Sequence, residues 1–157
     1  MNQENLAKFL QKSKRKTFAS ATTIPKFRLD GSKEYFYKEG NLTYRGKYFG
    51  SLVDTGQELV FHKNKLVWSM SYRGGMVLGK EDLSKKCFSF LKKCLRKAPL
   101  FFPVRGPTSY REGVFRYENS WKGDLEGFIG EEKIFYEGEQ IYFRDYLGGT
   151  GSSKIIK

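Results

Sequence analysis

Few side chains in this sequence carry the chemistry for covalent or metal work. His62 is the only histidine, so a Ser–His–Asp or Cys–His arrangement would have to use it. It stands beside Lys63 at the end of an expected strand, where a solvent-facing turn residue is the simpler reading. Cys87 and Cys94 lie seven positions apart, which on a helix is two turns, or about 10 Å of rise. That separation is too long for an undistorted disulfide, so two small buried thiols on one helix face are expected. With one His and two Cys sharing a helix, no zinc spacing exists, and neither metal nor cofactor is expected.

Carboxylates and aromatics offer more. Glu58 and Glu132 occupy the same place in two short motifs, Gly56-x-Glu58-x-Val60 and Gly130-x-Glu132-x-Ile134. Brought together, two carboxylates can perform general acid–base work or bind a cation. The structural alternative, in which each bonds turn backbone or pairs with Arg, is preferred, and no catalytic residue is assigned. Trp68, Tyr72, Tyr142 and Tyr146 also match between the two stretches and share strand parity, so they point to one sheet face. Turned inward they are core; lining a cleft they would stack a planar ring. Arg73 and Arg144, near the same strand ends, would then contact an anionic group. The nucleic-acid alternative rests on Lys14, Arg15, Lys16, Lys85, Lys86, Lys92 and Lys93, a basic helical surface able to neutralise phosphates. No aromatic residues interleave with the second-helix lysines on their own face of the helix, which argues against single-strand stacking there. The glycine-rich end, Gly148 to Lys154, lacks the Gly-Lys-Ser order of a phosphate loop, so residues 150–157 are expected to form a flexible basic tail.

The elements that must position these groups read as helix, meander, helix, meander. Leu6, Phe9 and Leu10 fall on one face of a helix near residues 3–16. A clearer stripe, Leu83, Cys87, Phe90, Leu91, Cys94, Leu95 and Ala98, predicts a helix over residues 80–98 with Glu81 and Asp82 in its first turn and Pro99 as its stop. Residues 34–75 and 113–149 align without a gap from the central glycine onwards, with Val60 against Ile134, Phe61 against Phe135 and Gly74-Gly75 against Gly148-Gly149. Lys63-Asn64-Lys65 and Glu137-Gly138-Glu139 are the expected hairpin turns. The paired glycines suit chain reversals or close backbone approach. Strands at Glu34–Lys38 and Gly113–Tyr117 would complete each meander. The fold class is therefore α+β: two antiparallel β-meander repeats related by a pseudo-two-fold, each preceded by an amphipathic helix, in one domain spanning residues 1–149. The absence of βαβ alternation argues against a parallel sheet.

Composition and charge agree. The 157 residues suffice for one core, and 17% are Phe, Tyr or Trp, which favours sheet faces. No apolar run approaches the roughly 20 residues needed to span a bilayer, and residues 1–9 lack a signal-peptide core. A reducing cytoplasm is expected from the unpaired thiols. The net charge of +12 is uneven: residues 1–33 and 76–112 are strongly basic, whereas residues 113–149 hold more Asp and Glu than Lys and Arg.

Several segments together resemble an uncharacterised bacterial domain family found alone or behind a DNA-binding helix-turn-helix. They are Phe9-Leu10, Ala19, Gly56 to Val60, Val67 to Gly74, Arg105-Gly106-Pro107, Gly130 to Ile134 and Tyr146 to Gly149. Behind a helix-turn-helix, the resemblance implies effector sensing; no helix-turn-helix fits before the first meander here. It brings no functional residues of its own. The function expected from the residues is non-enzymatic binding of an anionic, ring-bearing, nucleotide-like small molecule in a cleft between the repeats. The alternatives are nucleic-acid or regulatory binding through the basic helices, or a small protein-binding inhibitor or adaptor.

Overall fold

The computed structural model describes residues 1–151; of the tail expected at 150–157, Thr150 instead ends the last strand, and residues 152–157 lie outside the described residues. Helix α1 (Gln3–Lys16) begins at Asn2, whose side chain accepts a hydrogen bond from the Asn5 amide at 2.8 Å. Glu4 lies in its first turn and Lys14, Arg15 and Lys16 in its last, as the helix dipole favours. Helix α2 (Ser84–Arg96) follows a 3-10 turn at Glu81–Leu83 and buries Cys87, Phe90, Leu91, Cys94 and Leu95.

The strands are β1 (Lys26–Phe27), β2 (Lys33–Glu39), β3 (Leu42–Gly50), β4 (Val53–His62) and β5 (Lys65–Met76), then β6 (Ser109–Glu112), β7 (Phe115–Asp124), β8 (Gly127–Tyr136) and β9 (Glu139–Thr150). They form one antiparallel sheet in the order β1-β2-β3-β4-β5-β9-β8-β7-β6. The two meanders have merged edge to edge rather than stacking face to face. Lys63 and Asn64, like Glu137 and Gly138, have positive φ, as two-residue hairpin turns between twisted strands require.

Two local expectations are corrected. Gly113 and Val114 form the turn between β6 and β7, so the strand expected at Gly113–Tyr117 begins only at Phe115. Gly74-Gly75 and Gly148-Gly149 lie inside β5 and β9, not at chain reversals. Their smallness serves close approach: a Cβ on Gly74 would overlap the Phe143 carbonyl, and one on Gly148 the Ser69 carbonyl.

Both helices pack on the same sheet face. Leu6, Phe9 and Leu10 of α1 meet Tyr35, Tyr44, Val60, Trp68 and Met70, whereas α2 meets Tyr117, Ile134, Ile141 and Tyr142. The helices touch each other, Arg15 donating to the Arg96 carbonyl at 3.2 Å, and Gln11 donates to the Ala98 carbonyl just past α2 at 2.8 Å. The segment after α2 turns inward, burying Phe102, Val104 and Arg105. Each large apolar side chain so buried contributes about 1.5–3 kcal/mol.

Candidate functional site

Burial of Arg105 is the feature that organises the interior. Within the apolar run after α2, Leu100 and Phe101 stay exposed while Phe102 to Val104 enter the core and carry the guanidinium in with them. Tyr117 receives the Gly106 amide at 3.0 Å, and Asn119 donates to the Gly106 carbonyl at 2.9 Å. Tyr146 in turn donates to Asn119 at 2.6 Å. These bonds from β7 and β9 fix the loop.

Arg105 stands between the two motif glutamates, although β5 and β9 separate their strands. Its Nε donates to Glu132 Oε1 at 3.0 Å, Nη2 also bonds that oxygen, and Nη1 lies 3.9 Å from Glu58 Oε1. Glu132 additionally accepts from Tyr117 at 2.6 Å and from Tyr142 at 2.8 Å. Burial would raise the Glu132 carboxyl, but the charge and hydrogen bonds of Arg105, with Arg144 nearby, hold it below the ordinary value. Glu58 pairs instead with Lys14 of α1, at 2.7 Å. Burial pulls Lys14 below the ordinary lysine value, and Glu58 offsets this only in part. Arg144 completes the cluster, donating through Nε to the Tyr142 hydroxyl and through Nη2 to Asp54, both at 2.7 Å. Three cations thus face three carboxylates. Asp54 is the outermost carboxylate, and burial raises its pKa despite Arg144.

A cavity opens beside this cluster, on the Glu58 side. Lys14, Glu58, Arg105 and Arg144 line its depth, and Phe18, Tyr35, Tyr48, Asp54 and Tyr72 surround the rest. About 40 Å³ of it is open to water centres, room for a few waters at roughly 10–15 Å³ each. The Tyr72 ring sits under the Arg144 guanidinium at 4.5 Å.

The sequence-expected residues separate into distinct groups. Glu58, Tyr72 and Arg144 line the cavity, and Glu132 joins the charge cluster behind it. Trp68, Tyr142 and Tyr146 are on the helix-covered face as expected, but they are packed core, 0%, 0% and 2% exposed, and wall no cleft. Trp68 stacks on Phe128, and its indole N–H is buried without a hydrogen-bond partner among the described residues. Arg73 has the opposite parity, so it lies on the other sheet face, over the Phe143 ring. Among the nucleic-acid alternatives, Lys14 is buried and leaves the set. Lys93 pairs with Glu112, Lys92 sits over Phe18, and Arg15 donates to the Arg96 carbonyl, whereas Lys16, Lys85 and Lys86 are exposed. Cys87 and Cys94 are buried free thiols.

Sequence reasoning missed Lys14, Asp54 and Arg105 as cluster members. For Arg105 a signal existed: a lone cation closing an apolar run, in a segment with no regular element. Lys14 gave none, because it stands within a surface-like Lys-Arg-Lys run.

Among the described residues, no cluster of three or more His, Cys, Asp or Glu could hold a metal ion, and no helix is long and apolar enough to cross a membrane. Comparisons with curated proteins and with solved structures return no match. Residues 46–150, from β3 to the end of β9, match the family model described as "Domain of unknown function (DUF5680)". That span holds Glu58, Arg105, Glu132 and Arg144 and excludes Lys14 and Phe18, so the core of the charge cluster lies within a chain that belongs to the DUF5680 family.

Proposed function

We propose that this chain is a non-enzymatic binding module for a small ring-bearing molecule with one anionic group. The observation that carries this is the cavity that places Arg144 and Arg105 below a rim of Phe18, Tyr35, Tyr48 and Tyr72. A whole nucleotide is too large for about 40 Å³; the anionic end enters and the ring rests on the rim. Because the cluster is balanced in charge, the ligand's anion takes the place of Asp54 beside Arg144. Burial already raises the Asp54 pKa, so binding draws a proton onto Asp54, and affinity rises as pH falls towards the ordinary carboxylate range. The net charge of +12 steers anions to the molecule.

On the same footing, the two meanders form an internal repeat with a pseudo-two-fold between β5 and β9. Supporting this, the β5–β9 register pairs Tyr72 with Tyr146, residues that match in the sequence alignment. Register shifts also occur at matching points, after Val60 and after Ile134. The free thiols favour a reducing cytoplasm.

Native mass spectrometry of gently purified protein, with its 260/280 nm absorbance ratio, tests the binding function. A discrete co-purifying mass of a few hundred daltons, lost in Arg144→Gln and reduced in Tyr48→Ala, supports it. A clean apo mass with no excess absorbance at 260 nm counts against it and favours a macromolecular partner.

A further inference from the structure

Helices cover one face of the sheet, and the other face is open. Across β2–β5 the open face presents Phe36, Arg45, Lys47, Phe49, Phe61 and Arg73, alternating with the inward core residues. Cations and rings interleave there. The Arg45 guanidinium lies 5.8 Å from the ring centres of both Phe36 and Phe61. Lys47 lies 5.7 Å from the Phe49 ring, and Arg73 lies 5.9 Å from Phe143 on the adjoining β9. Phe36 is 53% and Phe49 42% exposed, so both rings offer a face to a partner.

The outward strand positions of β2–β5 hold Lys38, Arg45, Lys47 and Arg73 against the single carboxylate Glu34. Lys47 also meets Asp30 from a neighbouring loop at 2.7 Å, whereas Arg45 and Arg73 are free of salt bridges among the described residues. The same face of β7–β9 differs. Arg116 pairs with Glu118, Lys133 with Glu131 at 3.5 Å, and the exposed Lys122 is offset by Asp145, so the charges there balance. The excess of positive charge is therefore larger on the β2–β5 half of the open face.

We propose that the open face of β2–β5 binds single-stranded nucleic acid, with Phe36, Phe61 and Phe49 as stacking platforms and Arg45, Lys47 and Arg73 as phosphate contacts. Phe36 and Phe61 are two strands apart, about 9–10 Å at the usual strand spacing, so successive bases of an extended strand can use both. Stacking of this kind tolerates any base, because every base has a π-face. A second copy of this chain docked on the same half-face would bring like charges together. A duplex keeps its base faces covered and has no use for the rings.

The test uses the full chain and a fluorescein-labelled oligothymidylate in fluorescence anisotropy, beside a duplex of equal length and phosphatidylserine vesicles. Binding to the single strand is expected, stronger than to duplex and weakening steeply with salt. Phe36→Ala and the milder Phe36→Leu, which keeps apolar bulk but removes the ring, each weaken it by roughly fivefold or more. Arg45→Gln lowers the salt slope. Circular dichroism confirms that each variant is folded, as the exposure of Phe36 leads one to expect. Lys85→Ala with Lys86→Ala on α2 leaves binding unchanged. Three results would overturn the proposal: no single-strand binding at low salt, loss of binding in the α2 variant with Phe36→Leu neutral, or binding to vesicles alone.

Discussion

Glu58 and Glu132 sit two residues after matching glycines, each on the inner face of the next-to-last strand of its meander, β4 and β8, yet they meet different surroundings. Glu132 is 0% exposed and bonded by Arg105, Tyr117 and Tyr142. Glu58 has Lys14 at 2.7 Å, Arg105 only at 3.9 Å, and the cavity alongside. Much of the difference traces to two positions. Where the second half has Tyr142, the first has Trp68, whose indole has no oxygen to offer and whose N–H remains unpaired. Where the second half has Arg144, the first has Met70. One half-site closes into a saturated ion cluster; the other borrows a lysine from α1 and keeps a void. Under the proposed function, the ligand's anion meets the unsaturated half.

The sharpest way to break this comparison is to remove the group both halves share. Arg105→Ala leaves Glu132 buried with two tyrosines and only the more distant Arg144, at 3.8 Å, and deprives Glu58 of its second cation, so it should cost about 3–5 kcal/mol in urea unfolding. A smaller loss would mean that water entering from the cavity replaces the guanidinium.

Neutralising one carboxylate at a time sharpens it further. Glu132→Gln removes charge-assisted bonds to Arg105, worth about 1.5–3 kcal/mol. Glu58→Gln should cost at least about 1 kcal/mol less, because Lys14 is already disfavoured as a buried cation and relaxes towards the cavity. Equal losses would show that the two sites are energetically the same despite their geometry.

Acid titration separates the carboxylates by sign. The Glu132 pKa is depressed in the fold, so its stabilisation is complete above the ordinary carboxyl value of 4.5 and is lost as pH falls through the folded pKa. Asp54 is raised, so its contribution runs the other way, declining as pH rises from 3.8 through its folded value. Melting temperature followed from neutral pH to about pH 3 should therefore fall less in Glu132→Gln than in the parent chain, and more in Asp54→Asn.

The matching tyrosines give the smallest thermodynamic contrast. Tyr146→Phe leaves the buried Asn119 oxygen without its donor and should cost about 1–2 kcal/mol. Tyr72→Phe, at the cavity rim, should stay within about 0.5 kcal/mol. Thiol reactivity then checks the α2 packing without altering stability. Burial pushes Cys87 up to about 12 and Cys94 higher still, so neither should react with a thiol reagent at pH 8 until the protein unfolds.

Much of the scaffold was legible in the sequence, because periodicity and turn chemistry are local. The apolar stripe from Leu83 to Ala98, the alternation through Trp68, Met70 and Tyr72, and the turns at Lys63-Asn64 and Glu137-Gly138 each act over a few residues, and the structure follows them. The site was less legible. Glu58, Tyr72 and Arg144 were singled out by their motifs and do line the cavity, whereas Trp68, Tyr142 and Tyr146 carried the same signal and became core. Strand parity tells which face a residue occupies, and on this protein that face holds both the packed interior and the cavity.

The sequence by itself determined two helices, antiparallel meanders and a face of matched aromatics, since each follows from spacing and side-chain type along a short stretch. Only the tertiary structure decided that the meanders join edge to edge, that both helices lie on one side, and that Lys14 and Arg105 are drawn inside. Those outcomes depend on contacts between residues far apart in the chain: Lys14 reaches Glu58 and Arg105 reaches Glu132 only after the sheet has formed. A lysine among surface-like neighbours carries no local mark that a buried carboxylate will need it.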